Sequence, residues 1–209
     1  MTGFVHRFVP AERENAPIAL LLHGTGGNED DLLPLGQRLL PGAAILSPRG
    51  QVLENGMPRF FRRFAEGVFD VDDLKRRTDE LAVFIDLARL QYGLGERKVV
   101  AVGYSNGANI AASLILRHPG YVSAAVLFRA MVPFRPEMPP ALAGVSVLLA
   151  AGRNDTIVPA ASTGELVRIF EAGGAQVAVH WHEGGHELGE DDVEAARFWL
   201  ARSGGAISA

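Results

Sequence analysis

The sequence predicts an α/β fold: a doubly wound, mostly parallel sheet flanked by helices, in a single domain over residues 1–209 with no large separate cap. Three observations carry this. Apolar runs of strand length recur along the chain, they are continuous rather than alternating, and helix-period stretches lie between them. Continuous apolar runs are what parallel strands need when helices cover both faces of their sheet.

The first run is "FVHRFV", expected as an added edge strand. "IALLL" (Ile18 to Leu22) follows, then a helix over Asp31 to Leu40 and a strand "AAILS" around Ile45. The spacing next predicts a helix over Thr78 to Tyr92, the strand "KVVAV" ending at Val102, and a helix over Asn106 to Arg117. Strands "SAAVLF" and "VSVLLA", a helix over Ser162 to Ala172, the strand "QVAVHW" and a helix over Asp191 to Ala201 complete the alternation. Gly and Pro mark the joints at "LPGA", "HPGY" and "AGGA". Residues 48–75 are the exception, far longer than an ordinary connection, and a long excursion in a compact domain is usually functional. The tail "GGAISA" is expected to fray.

Bulk properties narrow the function classes. The 209 residues are 48% hydrophobic and 21% charged, with a formal net charge of -4, and the basic residues form no long block. Nucleic-acid binding is disfavoured. The absence of cysteine excludes disulfides, thiolate metal sites and a cysteine nucleophile. The N-terminal stretch lacks the pattern of a secretory signal, and no run is long enough to span a bilayer, so a cytoplasmic protein is expected.

"GYSNGA" sits where the strand "KVVAV" should turn into a helix. A serine that projects its hydroxyl from a sharp strand-to-helix turn tolerates only small neighbours two residues away, which Gly103 and Gly107 provide around Ser105. The backbone N–H of Asn106 then faces the oxygen of a tetrahedral intermediate. A plain glycine-rich turn with a capping serine reads the five residues equally well. The placement of partners separates the two. "LLHGTGGNEDDL" follows the first buried strand, and its glycines let the N–H of Thr25 approach as a second oxyanion donor, with His23 structural; no lysine follows them as a phosphate-binding loop requires. Asp155 in "AGRNDTIVP" and His186 in "HEGGHEL" each lie just past an apolar strand, at the same sheet edge as Ser105, in the chain order serine, acid, histidine. His180 and His182 compete for the role of base, but they fall within a strand and share one of its faces. The three histidines spell H-x-H-x3-H, yet no carboxylate or thiolate is tied to them by a known metal-site spacing, and no metal is expected.

These segments, in this order over nearly the whole chain, resemble the α/β-hydrolase superfamily. More narrowly they resemble the phospholipase/carboxylesterase group that includes acyl-protein thioesterase-like enzymes and small bacterial esterases. The resemblance implies a Ser105, Asp155, His186 triad, oxyanion N–H groups from Thr25 and Asn106, no cofactor, and cleavage of small-molecule carboxylic esters or thioesters. Acyl-protein thioesterases carry His-Gly-Leu-Gly-Asp where this chain has "HGTGG", which argues against lipidated proteins as substrates. Dienelactone hydrolases look similar in fold and size but use a cysteine nucleophile. Dimers are common in the resembled group, so a homodimer is an expected state.

The insertion "PRFFRRFAEGVFD" concentrates Phe60, Phe61, Phe64 and Phe69 with Arg59, Arg62 and Arg63. Phe60, Phe61 and Phe64 are expected to wall an acyl pocket, Arg62 to hold a polar or anionic group, and Met131 to line the pocket after another strand; the competing reading buries the aromatics in the core. Two rival functions use the same residues: a ligand-binding receptor that does not turn its ligand over, and an acyltransferase or perhydrolase that admits a different acceptor to the acyl-enzyme.

Overall fold

The computed structural model describes residues 3–203; the tail from 204 onward lies outside them. Seven strands form one sheet in the order β1-β3-β2-β8-β9-β10-β11. They are β1 (His6–Val9), β2 (Ile18–Leu22), β3 (Ala44–Pro48), β8 (Val99–Tyr104), β9 (Ala124–Phe128), β10 (Ser146–Gly152) and β11 (Gln176–His182). Only β1 runs antiparallel, against β3; the other neighbours pair in parallel. Every residue of β2, β3, β9 and β10 is buried, as their unbroken apolar character requires. Alternate residues feed two cores. Leu20, Leu22, Ala101 and Leu127 pack beneath helices α2 (Val71–Tyr92), α3 (Asn106–Arg117) and α4 (Ala160–Ala172), while Leu21, Val102 and Val126 pack beneath α1 (Leu33–Leu39) and α5 (Glu190–Arg202). Among the described residues no helix is long and apolar enough to cross a membrane.

The helices follow the expected spans to within two residues, except one. Helix α2 starts at Val71 rather than Thr78. Its first two turns are mostly charged, which hides the apolar period, but Asp70 caps them by accepting from the Asp73 N–H at 3.1 Å, and Gly93 ends the helix with φ 63°. The excursion is therefore shorter than 48–75: Pro48 belongs to β3 and residues 71–75 to α2. Between them lie two small hairpins, β4 (Val52–Glu54) with β5 (Met57–Arg59), and β6 (Arg63–Ala65) with β7 (Val68–Phe69). Asn55 and Gly56, with φ 52° and 80°, make the primed turn that matches strand twist in the first.

The chain winds one way from β2 and the other way from β8, so the strand order reverses between these neighbours, and a crevice opens outside their C-terminal ends. Two loops flank it. After β8 the chain turns sharply into α3 through Ser105, a non-glycine residue at φ 52° and ψ −112°, a costly conformation for a side chain with Cβ. The turn is held by the Ser105 N–H, which donates to Phe128 O at 2.9 Å. A Cβ at Gly107 would lie 1.9 Å from Leu22 O, and one at Gly103 would lie 2.7 Å from Ala108 N. In the loop after β2, the buried His23 ring meets Gly24 O through Nδ1 at 2.6 Å, and its Nε2 accepts the Gly50 N–H at 2.9 Å. Both contacts suit the neutral tautomer with hydrogen on Nδ1. Burial, the largest cause, pushes the His23 pKa below its ordinary value.

Two outcomes follow from these loops. Gly107→Ala must displace α3 from the end of β2 and should lose about 1–3 kcal/mol of stability, read as a lower urea midpoint. His23 binds its proton more readily in the unfolded chain, so its contribution is intact above pH about 6.5 and is lost as pH falls through that value toward the lower folded pKa. His23→Gln should flatten the acid side of a Tm-against-pH curve.

Candidate active site

Three loops at the C-terminal edge of the sheet bring Ser105, His186 and Asp155 together. Ser105 Oγ lies 2.9 Å from His186 Nε2, and His186 Nδ1 lies 2.8 Å from Asp155 Oδ2. A carboxylate can only accept, so Nδ1 carries the hydrogen and Nε2 is left with a lone pair toward the serine hydroxyl. The second oxygen of Asp155 accepts from the N–H groups of Ile157 at 2.8 Å and Val158 at 2.9 Å. With a side chain only 1% exposed, Asp155 thus has both oxygens engaged and a fixed orientation. Chemically this is a hydroxyl facing a base that is itself aligned by a buried anion.

The competing histidines point elsewhere. His182 Nδ1 meets Asp191 Oδ2 at 2.8 Å, which is the main reason the Asp191 carboxyl sits below the usual range. His180 Nε2 lies 3.8 Å from Asp192. Both therefore face α5. The ligand atoms of His182, Asp191 and Asp192 lie close enough to share a metal ion. However, both oxygens of Asp192 are already bonded to the Arg129 guanidinium, which leaves that donor set poorly suited to a cation.

Beside Ser105 a cavity of about 30 Å³ is lined by Thr25, Asn106 and Met131 together with Arg59, Arg63 and Phe69. It is narrow, with room for about one or two waters. In the loop that bears Thr25, the next two amides are engaged, Gly26 N–H by Pro58 O at 2.9 Å and Gly27 N–H by Gly24 O at 3.1 Å. The Asn106 side chain accepts the Phe60 N–H at 2.7 Å and ties the insertion to the turn after β8. Its Nδ2 is buried without a partner among the described residues.

The insertion reaches the cavity with other residues than those expected. Phe60 and Phe61 are buried in the main core, where Phe60 packs on His23 and Phe61 edges against Phe69. Arg62 stands outside, 63% exposed, pairing with Asp70 at 3.0 Å. Phe64 is 75% exposed, although its neighbours in the second hairpin, Arg63, Glu66, Gly67 and Phe69, line the cavity. Met131 does border the space. Of the three arginines in the segment, Arg59 and Arg63 border the cavity in place of Arg62. Buried Arg59 donates to Thr25 Oγ1 at 2.6 Å and pairs with Glu54 at 3.1 Å, while Arg63 holds the same carboxylate through Nε and Nη2. The hydrogen bond from Arg63 is the first cause that keeps the Glu54 pKa low. The Asn-Gly turn at 55 and 56 was the available signal: it sets a hairpin whose returning strand ends on Arg59.

Comparison with known proteins agrees with this architecture. The chain is 49% identical to MhqD of Bacillus subtilis (strain 168) over 182 residues, 87% of this chain and 91% of that one. The crystal structure of the Bacillus cereus carboxylesterase superposes with a TM-score of 0.94 at 48% identity, covering 96% of this chain and 95% of the other. The structure of YahD with malic acid does so with a TM-score of 0.90 at 32% identity, over 96% and 99%. A family match covers residues 62–195, a span that contains Ser105, Asp155 and His186. The lack of cysteine set dienelactone hydrolases apart in the sequence, yet it is their family that matches, with a serine at position 105. The fold, the hydrolase relatives and the family match lead to one conclusion: this chain belongs to the dienelactone hydrolase family and is an α/β-hydrolase enzyme.

Proposed function

We propose that the protein is a serine esterase that cleaves small carboxylic esters or thioesters through an acyl-enzyme on Ser105. The observation that carries this is the unbroken hydrogen-bond chain Ser105–His186–Asp155, at 2.9 and 2.8 Å. In this reading Ser105 Oγ attacks the substrate carbonyl as His186 Nε2 takes its proton, and Asp155 stabilises the imidazolium. The backbone N–H groups of Thr25 and Asn106 receive the oxyanion, each worth about 10²–10³ in rate. His186 returns the proton to the leaving alcohol or thiol, the acyl-enzyme forms, and water deprotonated by the same imidazole releases the acid. The likeness to the Bacillus cereus carboxylesterase supports the reaction class.

The cavity supports a substrate preference. Its small volume suits a short acyl group. Arg59 and Arg63 share the carboxylate of Glu54, and the other acid of the wall, Glu66, stands at its exposed side, so the inner part of the wall retains an excess of positive charge beside the serine. That charge favours substrates bearing a carboxylate, and YahD, captured with malic acid, supports the idea by analogy.

Fluorophosphonate should label the wild type and not Ser105→Ala, and Ser105→Ala should lose about 10⁴-fold or more of turnover on p-nitrophenyl acetate. Turnover retained by Ser105→Ala would end the serine reading. With p-nitrophenyl esters of rising length, kcat/KM should fall beyond the shortest acyl chains. Arg59→Met should lower kcat/KM for a succinate half-ester about tenfold more than for a neutral ester of equal length, the worth of one weak ionic contact.

A further inference from the structure

The loop that carries His186 is secured to an unusual degree. Six consecutive carbonyls, from His182 to Glu187, each accept a hydrogen bond from a donor outside the loop. Arg153 N–H reaches His182 O at 2.8 Å, Asn154 Nδ2 reaches Glu183 O, and Asn154 N–H reaches Gly184 O at 3.0 Å. The three carbonyls nearest the imidazole are all served by side chains of β8 and the turn after β9: Arg129 Nε to Gly185 O at 3.0 Å, Tyr104 Oη to His186 O at 3.1 Å and Arg129 Nη2 to Glu187 O at 2.6 Å. One arginine therefore grips the backbone on both sides of the histidine.

Arg129 has no capacity left for anything else. A guanidinium offers five N–H groups in a fixed plane. Besides the two that hold the loop, one goes to Ala150 O at 3.2 Å and two go to the oxygens of Asp192 at 3.0 and 2.7 Å. Arg129 and Asp192 are both fully buried. Although Arg129 borders the cavity, every donor is spent inside the protein, so it does not recognise a substrate anion. Its backbone is at φ 57°, a conformation unfavourable for an arginine. There the chain leaves β9 directly after Phe128, whose carbonyl holds the Ser105 N–H. Adjacent residues thus fix the serine turn and the histidine loop.

We propose that Arg129 is the positioning residue of the catalytic centre, setting His186 between Ser105 and Asp155 by clamping the carbonyls at 185 and 187, with Tyr104 as its auxiliary on the carbonyl between them. The inference rests on the Ser105–His186–Asp155 reading. A proton relay tolerates little misplacement, since about 1 Å of displacement costs on the order of 10²-fold in rate. Five planar donors, anchored at their far end by a buried carboxylate, resist that displacement in two directions. Burial, the leading cause, pushes the Tyr104 hydroxyl above its ordinary pKa, so it remains a donor across the working range.

The test compares Arg129→Lys, the double variant Arg129→Met/Asp192→Leu and Tyr104→Phe with the wild type on p-nitrophenyl acetate. The double variant removes both buried charges together, a change that folded proteins often tolerate. Arg129→Lys keeps a cation for Asp192 but has no planar fork to span two carbonyls. The expected result is a fall of about 10–100-fold in kcat with KM within about twofold, ordered double variant below Arg129→Lys below Tyr104→Phe. Loss or broadening of the downfield imidazole N–H proton resonance of the His186–Asp155 hydrogen bond should accompany it. Tyr104→Phe alters no charge and keeps the ring, so it carries the test if an Arg129 variant does not fold. Unchanged kcat per folded molecule, or an unaltered resonance in the folded variants, would overturn the role of Arg129 and leave the triad reading intact. Turnover by Ser105→Ala would overturn the triad reading itself.

Discussion

The contact on which the architecture turns is the one between the start of α3 and the end of β2, where Gly107 passes so close to Leu22 that no side chain fits. That contact lets the chain reverse within a few residues of β8. It also forces Ser105 into a backbone conformation that a β-carbon disfavours, and it brings the loop bearing Thr25 alongside. The cost is met by neighbours. The Ser105 amide is tied to β9 and its carbonyl receives the Asn109 N–H at 3.0 Å, so the strained turn is bounded on both sides by hydrogen bonds to rigid elements.

A similar economy governs the loops after β10 and β11. Asp155 is oriented by two amides of its own loop, while the histidine loop takes its donors from the end of β8 and from residues just past β9 and β10. Gly152 makes room for this, because a Cβ there would fall 2.2 Å from Gly185 O. The proposed nucleophile, base and acid are therefore held less by contact with one another than by the strand ends beneath them, as expected of a site built on loops over a stiff sheet.

Much of this was legible in the sequence because the physics is local. Unbroken apolar runs announced buried parallel strands; Ser105 follows one directly and Asp155 three residues after another, while His186 follows the partly polar edge strand β11, so a parallel sheet alone delivers them to one edge. The start of α2 was not legible from hydrophobic period, since its first two turns bury little beyond Asp73 and Leu74. The pocket wall was harder still. Whether Phe60, Phe61, Arg62 or Phe64 faces the cavity depends on how two short hairpins lie on the domain, and a strand shifted by one residue reverses every side chain. The clamp at Arg129 could not be read at all: the chain separates it from Gly185 by 56 positions, and no motif marks an arginine that serves backbone oxygens and one buried carboxylate.

The two hairpins between β3 and α2 present their inner ends to the cavity and leave Leu53, Phe64 and Val68 at the periphery exposed. Their anchors all lie away from that rim: the Gly26 N–H on Pro58 O, Arg59 on Thr25, Phe60 on Asn106 and in the core, and the Arg62 N–H on Asp73 at 2.8 Å. Such a segment behaves as a replaceable cassette. Its rim can lengthen, shorten or change sequence during divergence, or under a protein engineer, without disturbing the sheet that assembles the reacting groups.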